Sequence, residues 1–223
     1  MAHRIVEFVA RPKTFGSIVV GALPVLVFLT AAARPLLGQS GEWSARESAQ
    51  IREFLENRIL VGADEWFRRH DYEVAPGGVR WQTDQEPWTV WFTLNLATFD
   101  GAETMKVTVM LAKHRSEANV QRAFDQALRM SPQIQTFRHR GWPARYVGET
   151  PLGLSAHSVL LRFEAADAVG GDYAEIALVT TLGEWSIEIG RMPASRAREL
   201  LLVDTATAFV TAFVRAGVSD EAW

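Results

Sequence analysis

The chain opens with one long apolar segment, and apolar residues then alternate or recur at short spacings along the rest. Residues 15–37, FGSIVVGALPVLVFLTAAARPLL, carry a single charge, Arg34. As a helix this segment is about 34 Å long, which matches a hydrocarbon core of about 30 Å. Residues 15–37 are therefore predicted to cross a lipid bilayer as one helix.

The charges before this segment predict its orientation. Arg4, Arg11 and Lys13 precede it, against one acid, Glu7. An excess of basic residues is retained on the cytoplasmic side of a membrane. Residues 1–14 are therefore predicted to be a basic cytoplasmic N-terminus. The rest of the chain is predicted to lie on the periplasmic side of a bacterial inner membrane, which it crosses once.

A cleaved signal peptide is the alternative for the same segment. The basic start, the apolar run and the small residues 31–33 (AAA) fit the pattern that precedes a cleavage site. Against cleavage, the apolar run resumes at residues 36–37 (LL). Trp43 then follows where aromatic side chains anchor at lipid head groups. The sequence favours retention as an anchor and leaves cleavage open.

Residues 38–62 are predicted to be a linker followed by an amphipathic helix next to the membrane. Ser44 and Glu47 form a capping-box pattern. Apolar residues then recur at helical spacing: Ile51, Phe54, Leu55 and Ile59. Glycine commonly ends a helix, so this helix is predicted to stop at Gly62. Its apolar stripe is expected to bury against its own domain, the lipid surface or a partner.

Residues 63–223 are predicted to form one extracytoplasmic α+β domain. Residues 88–96 and 105–111 alternate with the period of strands, and Asp100-Gly101 between them is typical of a hairpin turn. A further turn is predicted at residues 76–78 (PGG).

The rest of this domain continues the mixed pattern and predicts the fold class. Further strands are predicted near 134–138, 144–148, 155–163, 173–181 and 185–189. Helices are predicted over 116–130 and 193–215. This order of elements predicts an antiparallel β-sheet with helices packed on one face.

Composition and motifs exclude several classes of chemistry. The chain has no cysteine, which excludes thiolate catalysis, disulfides and cysteine-bound metals. A formal net charge of −3 gives no electrostatic footprint for nucleic acid. The sequence has no phosphate-binding or metal-binding motif, so no cofactor and no metal site are predicted.

The polar residues also do not converge on a catalytic arrangement. Ser155 and His157 share one face of a predicted strand but have no orienting acid nearby in the sequence. The histidines that could serve as bases, which are His70, His114, His139 and His157, lie on separate predicted elements. The chain is therefore predicted not to be an enzyme.

Eight tryptophans and one short basic run indicate contact with a partner instead. Trp43, Trp66 and Trp142 are predicted at element ends or in loops, and Arg138 and Arg140 lie beside a predicted tight turn. Exposed tryptophan and arginine dominate the energetics of protein interfaces. These five residues are the predicted partner-binding residues. The alternative is that such tryptophans only cover sheet edges and that the basic run is an exposed strand end.

Two short segments resemble the PsbP-like fold. Residues 141–146 (GWPARY) are similar to the G-x-P-A turn that opens the central meander in that family. Residues 184–187 (EWSI) precede a predicted helix that ends near Ala212-Phe213. The family includes extrinsic photosystem subunits, a nuclear-transport factor and bacterial envelope proteins. The resemblance implies docking on a larger membrane assembly, photosynthetic or respiratory, and it implies no shared catalytic residues.

The sequence therefore predicts a non-enzymatic accessory subunit, held in the lipid bilayer by residues 15–37, that docks on other subunits of a membrane complex. The alternative is a tethered domain that binds a small apolar molecule or lipid between its sheet and a helix. A flat surface rich in tryptophan and arginine favours the first function, and a deep apolar pocket favours the second.

Overall fold

The computed structural model describes residues 42–83, 85–98, 104–133, 137–139, 142–155, 157–166 and 172–218 of the 223-residue chain. The predicted span at residues 15–37 and the predicted turn at Asp100-Gly101 lie outside these ranges. Within them, no helix combines the length and the apolar character needed to cross a membrane.

Strands of the described region form one antiparallel sheet, which confirms the predicted α+β class. The strands are β1 Tyr72–Gln82, β2 Trp88–Thr98, β3 Thr104–Lys113, β4 Phe137–His139, β5 Trp142–Pro151, β6 Ser158–Ala166, β7 Asp172–Leu182 and β8 Trp185–Pro193. Their order across the sheet is β1-β2-β3-β8-β7-β6-β5-β4. The last strand in the chain therefore lies beside β3 in the middle of the sheet.

The helices flank this sheet in chain order. They are α1 Ala45–Phe54, a π-helical segment Leu55–Ile59, α2 Leu60–Arg69, α3 Glu117–Gln133 and α4 Arg196–Arg215. The predicted capping box at Ser44 and Glu47 is present at the start of α1. Helix α4 begins later than predicted, because Pro193 ends β8 and the hydroxyl of Ser195 caps the helix.

The prediction that the first helix stops at Gly62 is wrong. The chain stays helical through the π-helical segment and α2 as far as Arg69. A Cβ atom at Gly62 would lie 3.0 Å from the Cβ of Ala212 on α4. Glycine at this position therefore allows α2 and α4 to approach closely, a role that the local sequence pattern does not distinguish from a helix stop.

Residues 76–78 form a bulge inside β1, not the predicted turn. The pairing of β1 with β2 shifts register between Pro76 and Val79. A Cβ atom at Gly77 would lie 2.7 Å from the Cβ of Thr93, which leaves no room for a larger residue. β1 is an edge strand, where proline and bulges are tolerated and discourage pairing with a further chain.

The main hydrophobic core lies between one face of the sheet and helices α1, α2 and α4. The sheet contributes alternate residues of its central strands, including Trp88, Phe92, Val109, Leu111, Ile187, Ile189 and Leu178. The helices contribute Ile51, Leu55, Ile59, Phe67, Leu202, Phe209 and Phe213. Of the three possible surfaces for the apolar stripe of the first helix, its own domain is therefore the one it covers.

Helix α3 covers the opposite face of the sheet, so the prediction that the helices pack on one face is wrong. Helices α3 and α4 both contact β7 and β8. Val120 and Phe124 of α3 are buried, yet they lie outside the main core cluster. Met110 of β3 is fully buried on that second face, since it alternates with Val109 and Leu111 of the main core.

Candidate functional site

Trp66, one of the predicted partner-binding residues, lies inside a helix and not at an element end. It is in α2, belongs to the main core and has 8% of its surface exposed. Its ring stacks on His70, with the ring centroids 3.8 Å apart. The predicted position was wrong because the helix continues past Gly62, and Trp66 offers little surface to a partner.

Trp43 is held on the surface by an arginine from a distant part of the chain. The guanidinium carbon of Arg115 lies 3.7 Å from the centroid of the Trp43 ring. Arg115 also donates to the carboxylate of Glu47 at 2.6 Å and to the backbone carbonyl of Glu42 at 2.8 Å. Hydrogen bonds from Arg115 and Ser44 lower the pKa of Glu47 to about 2. These contacts join the first described residues to the start of α3.

The other predicted contact residues lie on the last two strands of the sheet order. Arg138 of β4 pairs with Pro143, and His139 pairs with Trp142 of β5. Arg140 lies outside the described residues. Trp43, Trp66 and the pair Arg138 and Trp142 thus occupy three different elements, and the fold does not gather them into one cluster.

The fold does bring together a buried polar network that sequence analysis missed. His114 follows β3, and its Nε2 atom lies 3.2 Å from Oγ of Ser186 on β8. The Nδ1 atom of His114 lies 3.9 Å from Oε1 of Glu86. That oxygen also accepts hydrogen bonds from the backbone N–H of Arg115 at 3.0 Å and the side-chain amide of Asn119 at 3.4 Å.

Strand order explains why this network was missed. Glu86, His114 and Ser186 are far apart in the sequence, and they meet only because β8 pairs with β3. The backbone N–H of His114 donates to the carbonyl of Glu184 at 2.8 Å, which fixes the end of β3 against the turn before β8. The sequence carries only a weak signal of this, namely polar residues where a two-sided sheet would have apolar ones.

Carboxylate, imidazole and hydroxyl follow one another here in the order of a hydrolytic triad. Burial, together with the charge of Lys113, lowers the pKa of His114 to about 4, so its imidazole is neutral near pH 7. Ser186 has 7% of its surface exposed and lies within a central strand. An accessible nucleophile is normally presented on a sharp turn. This arrangement therefore holds polar groups inside the domain without exposing Ser186.

The pair Ser155 and His157 does not form the side-by-side arrangement drawn from the sequence. The hydroxyl of Ser155 is 2.8 Å from that of Thr180. The ring of His157 instead packs against Phe124 of α3, with centroids 5.4 Å apart. The two side chains thus make contacts with different partners.

Two more polar groups are buried on the α3 face of the sheet. Glu188 lies on β8 between Met110 and Val179 and has 9% of its surface exposed. Trp91 of β2 pairs with Met110 from the other side. Neither Glu188 Oε2 nor Trp91 Nε1 has a hydrogen-bond partner among the residues that the structure describes. Burial raises the pKa of Glu188 to about 8.

A third feature is an apolar stripe along the outer side of α4. Its residues follow one another at spacings of three and four: Leu200, Val203, Thr207, Val210 and Val214. Leu200 and Val214 are 48% and 53% exposed, and the other three are half-buried. The hydroxyl of Thr207 donates to the carbonyl of Val203 at 2.8 Å, so Thr207 needs no other partner for its polar group.

Comparisons of this chain with protein families, with curated proteins and with solved structures find no match. In the described part of the chain, no three histidine, aspartate or glutamate side chains come close enough to hold a metal ion. The function must therefore be argued from the stripe on α4 and from the polar groups on the α3 face.

Proposed function

We propose that this chain is a membrane-anchored accessory subunit that docks on a larger membrane complex through the apolar stripe on α4. One observation carries the proposal. Leu200 and Val214 are the large apolar side chains that stand exposed on the described surface, and both belong to this stripe. A surface helix normally turns polar residues outward, so exposed apolar residues on one line indicate a contact surface.

The spacing of the stripe favours a helix of another subunit as the partner. Apolar residues at alternating spacings of three and four form the seam along which two helices pack at a small crossing angle. Helix α4 has 20 residues, which is about 30 Å of contact length. Thr207 at the middle of the stripe tolerates such a seam because its hydroxyl is already bonded within the helix.

The membrane anchor and the remaining contact residues complete the proposal. Residues 15–37 hold the chain in the bacterial inner membrane with the domain outside the cytoplasm. Trp43, fastened by Arg115, links the anchor to the domain. Arg138 and Trp142 add a second contact at the far edge of the sheet. The protein acts by contact and not by catalysis, and the PsbP-like resemblance implies a photosynthetic or respiratory complex.

Site-specific cross-linking of the full chain tests this proposal. Because the sequence has no cysteine, Val210→Cys introduces a unique thiol on the stripe. We expect a thiol-reactive cross-linker in isolated membranes to join Val210→Cys to one other polypeptide. Ala197→Cys is the control, since Ala197 is exposed on α4 and lies about 100° around the helix from the middle of the stripe.

Two results would overturn the proposal. One is a cross-linked product with twice the mass of the chain, because the stripe would then join two copies. The other is equal cross-linking of Val210→Cys and Ala197→Cys. As a second measurement, the double variant Leu200→Ser/Val214→Ser should lose the large species seen on native gels. Ala197→Ser/Arg215→Ser, which changes two exposed residues off the stripe, should keep it.

A further inference from the structure

We infer that α3 and the sheet form a binding site for an uncharged molecule with an apolar body and a hydrogen-bonding head group, and that Glu188 holds the head group. This site is separate from the proposed docking surface, because α4 lies on the other face of the sheet. Three features of the α3 face support it: the unpaired carboxyl group, the residues around it and their charge at neutral pH.

Glu188 is buried in the middle of the sheet without a full set of partners. Its Oε2 atom has no hydrogen-bond partner within the described ranges. Leaving a buried polar group unpaired costs about 1–3 kcal/mol. In native proteins such groups mark strained or catalytic sites or contacts with water and ligands. A molecule that bonds to this carboxyl group would offset that cost.

Strand β8 differs in character between its two faces. Toward the main core it presents Ile187 and Ile189. Toward α3 it presents Ser186 and Glu188, and Gly190 then adds no side chain. A strand that only filled space beneath a helix would carry branched apolar residues on both faces. Small residues on either side of the carboxyl group leave room for a molecule that lies along the strand.

Trp91 and Met110 extend the site across two neighbouring strands. Met110 pairs with Trp91 on one side and with Glu188 on the other, so the three residues share one row. Neighbouring strands are about 4.8 Å apart, which puts the backbones of Trp91 and Glu188 about 10 Å apart. Met110 supplies an adaptable apolar floor between them. The unpaired indole N–H of Trp91 offers a donor to an acceptor on the ligand.

Aromatic rings close the site on the side of the helix. Phe124 of α3 is buried and packs on the ring of His157, which is half-buried. Val159 and Leu161 of β6 are also buried outside the main core. These side chains form the apolar surface against which the body of the ligand packs.

The charge of this face favours an uncharged ligand. Burial raises the pKa of Glu188 to about 8, so near pH 7 its carboxyl group carries a proton and offers both a donor and an acceptor. Burial lowers the pKa of His114 to about 4, so that imidazole is neutral at the same pH. Lys113 and Glu184 nearby pair with each other. An alcohol or amide head group bonds to a protonated carboxyl group without the cost of burying an ion.

Three probes with one eight-carbon chain and different head groups test the site: 1-octanol, octylammonium and octanoate. Each is titrated into the full chain in lipid nanodiscs, and binding is followed by tryptophan fluorescence. We expect 1-octanol to bind at least about tenfold more tightly than either charged probe. Glu188→Gln keeps a donor and an acceptor and should bind 1-octanol within about threefold of wild type, whereas Glu188→Leu should lose at least about tenfold.

Controls separate this site from the lipid and from a folding defect. Glu53→Leu, which changes an exposed glutamate on α1, should bind 1-octanol as wild type does. A photoactivatable octanol analogue needs no variant and should label peptides that contain Met110 or Glu188. Three results would overturn the inference: unchanged binding by Glu188→Leu, tighter binding of octylammonium that Glu188→Gln abolishes, or labelling confined to residues 15–37.

Discussion

The two faces of the sheet bury similar amounts of chain but solve different physical problems. On the face covered by α1, α2 and α4, Phe92, Phe209 and their neighbours fill one continuous apolar core. On the face covered by α3, the same strands place Glu188, Ser186 and Trp91 in the interior. Removing apolar surface from water stabilises the first face. The second face retains polar groups whose burial costs free energy.

This difference separates residues kept for stability from residues that stability does not explain. Ile187 and Ile189 on β8 need no reason beyond packing. Glu188 lies between them in sequence and on the other face, where a leucine or valine would fold more easily. A costly buried carboxyl group with an unpaired oxygen is therefore the position at which function is expected.

The largest effect is expected from a cavity in the face covered by α4. Phe209 is fully buried and packs on Phe92, with ring centroids 5.5 Å apart. Phe209→Ala should lower the free energy of unfolding by about 3–5 kcal/mol. Phe124→Ala on the α3 face should cost less, because Phe124 is at the margin of its cluster. Urea unfolding of the detergent-solubilised full chain measures both, and equal losses would remove the distinction between the faces.

Glu188→Gln should stabilise the protein, in contrast with most buried substitutions. The folded state holds the pKa of Glu188 near 8, whereas the unfolded chain ionises near 4.5. As pH rises from 4.5 to 8 the unfolded state releases a proton that the folded state keeps, so wild type loses stability across this window. The variant should gain on the order of 2–4 kcal/mol above pH 8 and nothing below pH 4.5. A gain that is independent of pH would contradict this account.

His114 should produce the opposite dependence on pH. Its pKa is near 4 in the folded state and 6.5 in the unfolded chain, so the unfolded state takes up a proton first as pH falls. Wild type should therefore lose about 1–3 kcal/mol of stability between pH 6.5 and 4, through this group alone. In His114→Gln this loss should be absent. Unfolding free energies of both proteins across that range decide the matter, and parallel curves would show that His114 does not titrate in this way.

The smallest effect is expected at the surface link between α3 and the residues before α1. Arg115→Ala removes the stacking on Trp43 and the ion pair with Glu47. Exposed contacts of these kinds contribute about 1 kcal/mol or less each. The free energy of unfolding should fall by about 1 kcal/mol, and proteolytic cleavage near Trp43 should become faster. Arg115→Lys keeps the charge without the planar fork and should lie between the two. Cleavage that Arg115→Ala leaves unchanged would argue against the link.

Much of the domain was predictable because its elements have local causes. The alternation in β2 and β3, the capping box at Ser44 and the glycine at the β7–β8 turn each produce their structure within a few residues. The errors occurred where a distant contact overrode a local signal. Gly62 reads as a helix stop but serves the contact with Ala212, and Gly77 reads as a turn but serves the contact with Thr93.

The candidate sites divide in the same way. The apolar character of α4 was visible in the sequence, but which of its sides remains outside became clear only from its packing on the sheet and α2. Trp66 was predicted as a contact residue, and the continued helix places it in the core. The network of Glu86, His114 and Ser186 was invisible, because its residues belong to segments that the chain order keeps apart.

By itself, the sequence determined the α+β class, the positions of most strands and helices and a strongly apolar segment at residues 15–37. These follow from hydrophobic periodicity and end signals, which act over one or two turns of chain. Only the tertiary structure decided that helices cover both faces of the sheet and that Glu188 lies beneath α3. The reason is that β8 pairs with β3 across about 75 residues, and long-range pairing depends on the free energy of the whole assembled core. Local pattern carries no record of that pairing.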